Sequence, residues 1–196
     1  MDVSSQRPSV SRAQLLAYMM IFVVVPVVTY FTGRWIDRQL SLPAFPPFPI
    51  NLLLGFTVFY IGLKMGIRST KVLYSRGLGL PWGEARKEVE TSRLVVTGPY
   101  AYTRNPMILG YSLLPCGMGL MFRSIGMSTT IPLVVVIVNV AIAKLREEPH
   151  LEERFGQEYI DYRRSTPFLI PRVGNILRFI AESMRSEPSE DTSVDE

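Results

Sequence analysis

Two polar clusters in this chain stand at the ends of long apolar runs. The first lies in TGPYAYTRNPMILG, residues 97–110, where Tyr100, Tyr102, Arg104 and Asn105 precede an apolar run that begins at Pro106. The second is Glu147-Glu148, just past the apolar residues 125–145. Asn105 followed by Pro106 makes a helix start that needs no ligand, because Asn is a strong N-cap and Pro a favoured first helical residue. Arg104 and the tyrosines read first as interfacial anchors, and second as groups that hold a ligand. Two carboxylates at a helix C-terminus oppose the partial negative charge there, by about 0.3–1 kcal/mol each. Lys144 and Arg146 can offset that cost, or a cationic ligand can. Asn139 lies two helical turns before Glu147 and adds a polar group on the same face, inside the apolar run. Arg104 near an open helix N-terminus suits a carboxylate, and the two glutamates suit an ammonium group. A ligand carrying both is an amino acid or S-adenosylmethionine.

The elements that must position these clusters are membrane helices. The chain has 196 residues, 47% of them hydrophobic, and its mean hydropathy is +0.19. The apolar residues gather in four runs, 15–31, 50–67, 106–122 and 125–145, and Lys64 and, at the end of the last run, Lys144 are the charged residues inside them. A bilayer-spanning helix needs roughly 20 mostly apolar residues, so four spans are expected. The first run is longer than a signal-peptide core and lacks a small-residue cleavage site after it. Basic residues then set the orientation. Arg7 and Arg12, seven residues of the 68–105 connection and eight from Lys144 to Arg185 fall on one side, against Arg34, Arg38 and Arg123 on the other. The positive-inside rule places both termini and the 68–105 connection in the cytoplasm. That asymmetry accounts for the net charge of +4 without nucleic acid as a partner.

Other chemistry is set aside by residue type. Cys116 is the single cysteine and His150 the single histidine, so no metal site and no disulfide framework is expected. No GxSxG, GxGxxG or Walker pattern occurs. The expected domain is a membrane bundle over 13–182, preceded by a mobile segment at 1–12 and followed by a disordered acidic tail at 183–196. Gly62 and Gly66 on the second run, and Ser112, Cys116 and Gly119 on the third, are spaced for close helix packing. Leu151, Phe155, Tyr159 and Tyr162 recur at helical spacing and predict an amphipathic helix against the membrane surface. STPFLIPR, residues 165–172, is expected to return to the interface.

RLVVTGPYAYTRNPMILG and, one run later, REEPHLEERFGQEYIDYRRSTPFLIPR together resemble the isoprenylcysteine carboxyl methyltransferase family. Its members are integral-membrane methyltransferases related to the phospholipid N-methyltransferases. The shared pattern is LVxxGxYxxxRxPM followed by EExxLxxxFGxxYxxY, over about residues 92–172. The resemblance implies an all-α bundle of four transmembrane helices whose cytoplasmic loop and C-terminal amphipathic helix form the site for S-adenosylmethionine. It implies that Leu94, Val95, Gly98, Tyr100, Arg104, Asn105, Pro106, Met107 and Glu147 bind that cofactor. It further implies catalytic or covering roles for Glu148, Tyr159 and Arg163, with Tyr162 beside them. The acceptor would be a lipid-like or otherwise apolar small molecule, bearing a carboxylate, amine or thiol, that reaches the site from the bilayer. Ser92, Asn105 and Ile108 stand where the family often has His, His and Tyr. Ala143 stands where the carboxyl-methylating members carry an Arg, which removes the partner for a substrate carboxylate. An NADPH-dependent membrane reductase of the sterol reductase type, and a non-enzymatic membrane protein with structural clusters, are the alternative readings.

Overall fold

A computed structural model describes residues 23–73, 75 and 93–185 of the protein. The N-terminus at 1–12, the start of the first expected span, residues 74 and 76–92 of the 68–105 connection and residues 186–196 of the acidic tail lie outside the described residues. Among the described residues the chain is all-helical, with no strand. The helices are α1 (Val25–Gln39), α2 (Ile50–Val72), α3 (Pro106–Met121), α4 (Gly126–Phe155), α5 (Gln157–Ser165) and α6 (Ile176–Met184). Single 3₁₀ turns cover Gly98–Ala101 and Val173–Asn175.

Two of these helices, α2 with 23 residues and α4 with 30, are long and apolar enough to cross a membrane. Both keep bulky apolar side chains outward, among them Leu53 and Phe56 on α2 and Leu133 and Ile137 on α4. Exposed apolar faces of this extent suit hydrocarbon rather than water. α3 is apolar but has 16 residues, and α1, which overlaps the first expected span, has 15. α1 also runs to Gln39, past the expected end at 31, because Arg34 and Arg38 continue the helix into the polar region.

Glycines bring α2 and α3 into backbone contact. A Cβ on Gly117 would lie 2.5 Å from the Phe59 nitrogen, and one on Gly110 would lie 2.8 Å from the Gly66 nitrogen. Gly62 and Gly66 therefore act as their spacing suggests. The α3 side of the contact is Gly110 and Gly117, not the expected Ser112–Cys116–Gly119 stripe. Gly119 faces α4 instead, where a Cβ would meet the Ser128 nitrogen at 2.3 Å. The Pro-rich connection between α1 and α2 is fastened to the opposite turn by Arg123, which donates to the carbonyls of Pro46 (3.1 Å) and Ala44 (3.2 Å).

The start of α4 is capped from two directions. The Ser124 hydroxyl accepts from the Met127 amide at 3.1 Å, and buried Asp37 of α1 accepts from the Gly126 amide at 2.7 Å. Both satisfy orphan donors of a helix N-terminus. Asp37→Ala is expected to cost about 1 kcal/mol, within the 0.5–2 range for lost caps, while Asp37→Asn keeps most of that contribution. Thermal unfolding in detergent reads the difference; an Ala variant as stable as the Asn variant would show the cap to be idle.

α4 departs from expectation at its far end. It does not stop at 145 but continues to Phe155 through a π-turn at Ala143–Glu147. Pro149 accounts for the turn, since it has no N–H to give and its ring crowds the carbonyl one turn back. Glu147 and Glu148 thus sit within a helix, and the expected clash with a helix C-terminus does not arise. The expected amphipathic helix is instead split at Gly156, whose φ of 53° ends α4 and starts α5. α6 extends to Met184 with Ser183 fully buried, so Ser183 belongs to the folded part rather than to the tail.

Candidate functional site

The two polar clusters meet in one cleft. The 3₁₀ turn and the N-terminus of α3 form one wall, the π-turn of α4 the second, and α5 closes the polar end. The cleft holds about 990 Å³ of atom-free space, counting its open mouth. Of the twelve residues expected to carry the site, ten line it: Leu94, Val95, Tyr100, Arg104, Asn105, Pro106, Met107, Glu147, Glu148 and Tyr159. Two do not. Gly98 turns the chain at φ 63° against Val72, where a Cβ would meet the Val72 Cγ2 at 3.3 Å. Arg163 points away and pairs with Glu152, both side chains being 38% exposed.

Arg104 is the centre of the polar side. Its Nη1 donates to Glu148 Oε1 and stands 3.4 Å from the Tyr159 hydroxyl. Both side chains of the ion pair are largely buried, at 11% and 15% exposure. Its guanidinium carbon also lies 5.4 Å from the centre of the Phe168 ring, with the Lys144 ammonium 5.1 Å from the same ring. An aromatic face attracts cations, so Phe168 also holds Arg104. The Arg104 Nε and the Tyr100 hydroxyl are both buried without a hydrogen-bond partner among the described residues. Leaving such groups unpaired costs free energy. Both belong to residues that line the cleft.

The π-turn decides which residues of α4 face the cleft. Eight residues of regular α-helix would carry Glu147 about 80° past Asn139. A π-turn inserts one residue, which brings the two back into line, and both line the cleft. Asn139 donates to its own helix, to the Val135 carbonyl at 2.8 Å.

Asn105 occupies the N-cap position of α3 without a side-chain cap bond. Its amide donates instead to the Phe168 carbonyl at 3.1 Å. The Thr103 hydroxyl lies 3.1 and 2.8 Å from the carbonyl oxygens of Phe168 and Leu169, and the Arg104 amide donates to Pro167 at 2.9 Å. Residues 103–105 therefore clamp the segment 167–169. That segment is fixed against the loop motif, a pairing of stretches more than sixty residues apart.

The tyrosines of the site keep their protons. Burial pushes the Tyr159 hydroxyl up to about 12, and the neighbouring Glu148 charge adds to the rise while Arg104 opposes it. Burial likewise raises Tyr100 and Tyr162. Tyr162 donates to the Tyr100 carbonyl at 2.7 Å and fixes the 3₁₀ turn. At neutral pH Tyr159 is a donor rather than a group that takes a proton.

Wall residues that sequence reasoning missed are Leu73, Tyr111 and Leu151. Tyr111 lies one turn after Met107, and its hydroxyl is 3.9 Å from the Met107 sulfur, where Thr70 also points at 3.7 Å. Its spacing from Met107 was a usable signal. Leu73 carried none, because α2 outlasts its apolar run. Among the described residues no three His, Cys, Asp or Glu side chains gather in a way that could hold a metal ion.

No solved structure matches the chain. It is 33% identical over 155 residues to the nickel-cobalt-cadmium resistance protein NccN of Alcaligenes xylosoxydans xylosoxydans. The similar region covers 78% of this chain and 62% of NccN, so the chain spans less than two thirds of that relative's length. The model of the family described as phospholipid methyltransferase matches residues 50–158, which hold α2, α3, α4 and the loop motif. The resemblance to the isoprenylcysteine-type methyltransferases stands at the level of this wider membrane-methyltransferase group. The chain belongs to the phospholipid methyltransferase family.

Proposed function

We propose that the protein transfers a methyl group from S-adenosylmethionine to an apolar or amphiphilic small-molecule acceptor at the membrane. One observation carries the reading. Arg104 and Glu148 face each other in a largely buried cleft, with Glu147 beside them and the Arg104 Nε and Tyr100 hydroxyl unpartnered. A cation, two anions and two spare donors in one dry site complement a ligand bearing both a carboxylate and an ammonium. Arg104, Tyr100 and Asn105 would take the carboxylate end, and Glu147 and Glu148 the ammonium. Leu94, Val95, Met107 and Pro106 supply the apolar wall. When bound, the donor supplies an electrophilic methyl group on a sulfonium.

The residues of the chain then bind, orient and exclude water. Holding two reactants in line can contribute roughly 7–11 kcal/mol to lowering a barrier, and no covalent step is asked of the protein. Where the acceptor is an amine or a thiol, Glu148 or Glu147 takes its proton, since the tyrosines hold theirs. Arg163 stabilises the α4–α5 corner through Glu152 rather than touching the ligand. The membrane bundle has four spans in this reading. α1 and α3 complete the pair formed by α2 and α4, with both termini in the cytoplasm.

The test is calorimetric titration of detergent-purified protein with S-adenosylhomocysteine, and with NADPH in parallel. Glu147→Gln is expected to abolish binding of the former. Near-normal affinity in the folded variant would remove Glu147 from the site, and binding of NADPH alone would replace the methyltransferase reading with the reductase one.

A further inference from the structure

The segment 168–185 is fastened at two points, and both lie where the apolar part of a membrane helix ends. Phe168 packs on Lys144, which follows the apolar Ile131–Ile142 stretch of α4. Glu182 of α6 pairs with Arg68, 3.4 Å away and one residue past Ile67 on α2. α6 also buries Phe179 and Ser183 inward, with the Phe179 ring 6.2 Å from that of Tyr102. These contacts fix the depth of the segment at the polar ends of α2 and α4.

Its outward side is not that of a helix in water. Ile170, Val173 and Leu177 are 70%, 87% and 81% exposed. At about 100° per residue, Leu177, Ala181 and Met184 fall opposite the Phe179–Ser183 face, and Arg178 and Arg185 follow on the next edge. Arg172 and Arg178 are exposed, and Arg172 spends one donor on the Ser165 carbonyl. Apolar side chains with cations alongside, held at the level where a membrane helix becomes polar, match an interfacial helix.

We infer that residues 170–178 are a membrane-surface anchor that inserts Ile170, Val173 and Leu177 among lipid headgroups and takes anionic phosphates with Arg172 and Arg178. Each basic side chain near an anionic surface adds to such binding, and the anchor depends on the membrane fold, not on methyl transfer. It fixes the clamped 167–169 segment, and through it Phe168 beside Arg104, to the bilayer surface.

The experiment uses the full chain with Cys116→Ser and one environment-sensitive fluorophore, at Leu177→Cys or at Glu153→Cys, in lipid nanodiscs. Glu153 is exposed and lies beyond the apolar Ile131–Ile142 stretch of α4. The label at 177 should be quenched by brominated lipid several-fold more than the label at 153, and be shielded from iodide. Replacing part of the phosphatidylcholine by phosphatidylglycerol should deepen that quenching, and Arg172→Gln with Arg178→Gln should abolish the increase. Iodide reaching 177 as readily as 153 would overturn the inference. A label shielded from both quenchers would also overturn it, since another part of the chain or a second copy would then cover the face. Lipid quenching that ignores phosphatidylglycerol would overturn the assignment to anionic headgroups. Because Leu177 and Arg178 are exposed and lie outside the cleft lining, these variants leave S-adenosylhomocysteine binding as a separate readout.

Discussion

Arg104→Ala is expected to abolish binding of S-adenosylhomocysteine. Removing one partner of a buried, charged hydrogen bond costs about 2–5 kcal/mol, which is upwards of roughly thirtyfold in affinity. The same change strands Glu148, whose side chain is 15% exposed, and an uncompensated buried charge costs about 3–5 kcal/mol of stability. The two effects separate through a double variant. Arg104→Ala with Glu148→Ala removes both charges, so stability should recover relative to Arg104→Ala alone, while binding stays lost. Calorimetric titration and thermal unfolding of the three proteins give both quantities. Binding within a few-fold of the parent, in folded Arg104→Ala protein, would show that Arg104 is only a structural ion-pair partner and would sink the proposed site.

Gly117→Ala should produce a large loss of stability for so small a substitution. The added Cβ would stand 2.5 Å from the Phe59 nitrogen, 2.7 Å from the Phe59 Cβ and 2.8 Å from the Gly55 carbonyl oxygen. Two of those three atoms belong to the backbone of α2, so no flexible side chain can swing aside. Overpacking costs about 1–3 kcal/mol and sometimes more, and rigid surroundings favour the upper end. In a chain of this size about 3 kcal/mol corresponds to a fall of roughly 6–12 °C in the unfolding midpoint. Gly174→Ala is the control, because nothing lies within 4 Å of its Cβ. Equal midpoints for the two variants would mean that α2 and α3 are not in the backbone contact described. The cleft depends on this contact, since α3 carries Pro106, Met107 and Ile108 to its wall and α2 carries Leu73.

Much of the site was legible in residue types alone. The unlike charges of Arg104 and of Glu147 with Glu148 predicted that two distant stretches serve one ligand, and the cleft does gather them. Asn139 was legible too, as an amide inside an apolar run. The role of Asn105 was half legible. Its place before Pro106 marks the helix start, but its side chain goes to Phe168, a partner sixty-three residues away that no local rule can name. Phe168 itself carried no signal, because a ring between two cations looks in sequence like any aromatic residue in an apolar stretch.

What the sequence by itself determined is therefore the set of apolar helices, the α2 side of their glycine-lined contact and the charged residues that need partners. Each of these follows from composition and short-range periodicity. The tertiary structure decided the rest. Pro149 turned a presumed helix end into a π-turn inside α4, which rotated Glu147 into line with Asn139. Gly156 bent α5 over the cleft and left Tyr159 inside and Arg163 outside. Those outcomes depend on one inserted residue in a helical turn and one positive φ, and each swings every side chain beyond it. Periodicity counted along the chain assumes that no such rotation occurs, so only the folded backbone could show which residues face the cleft.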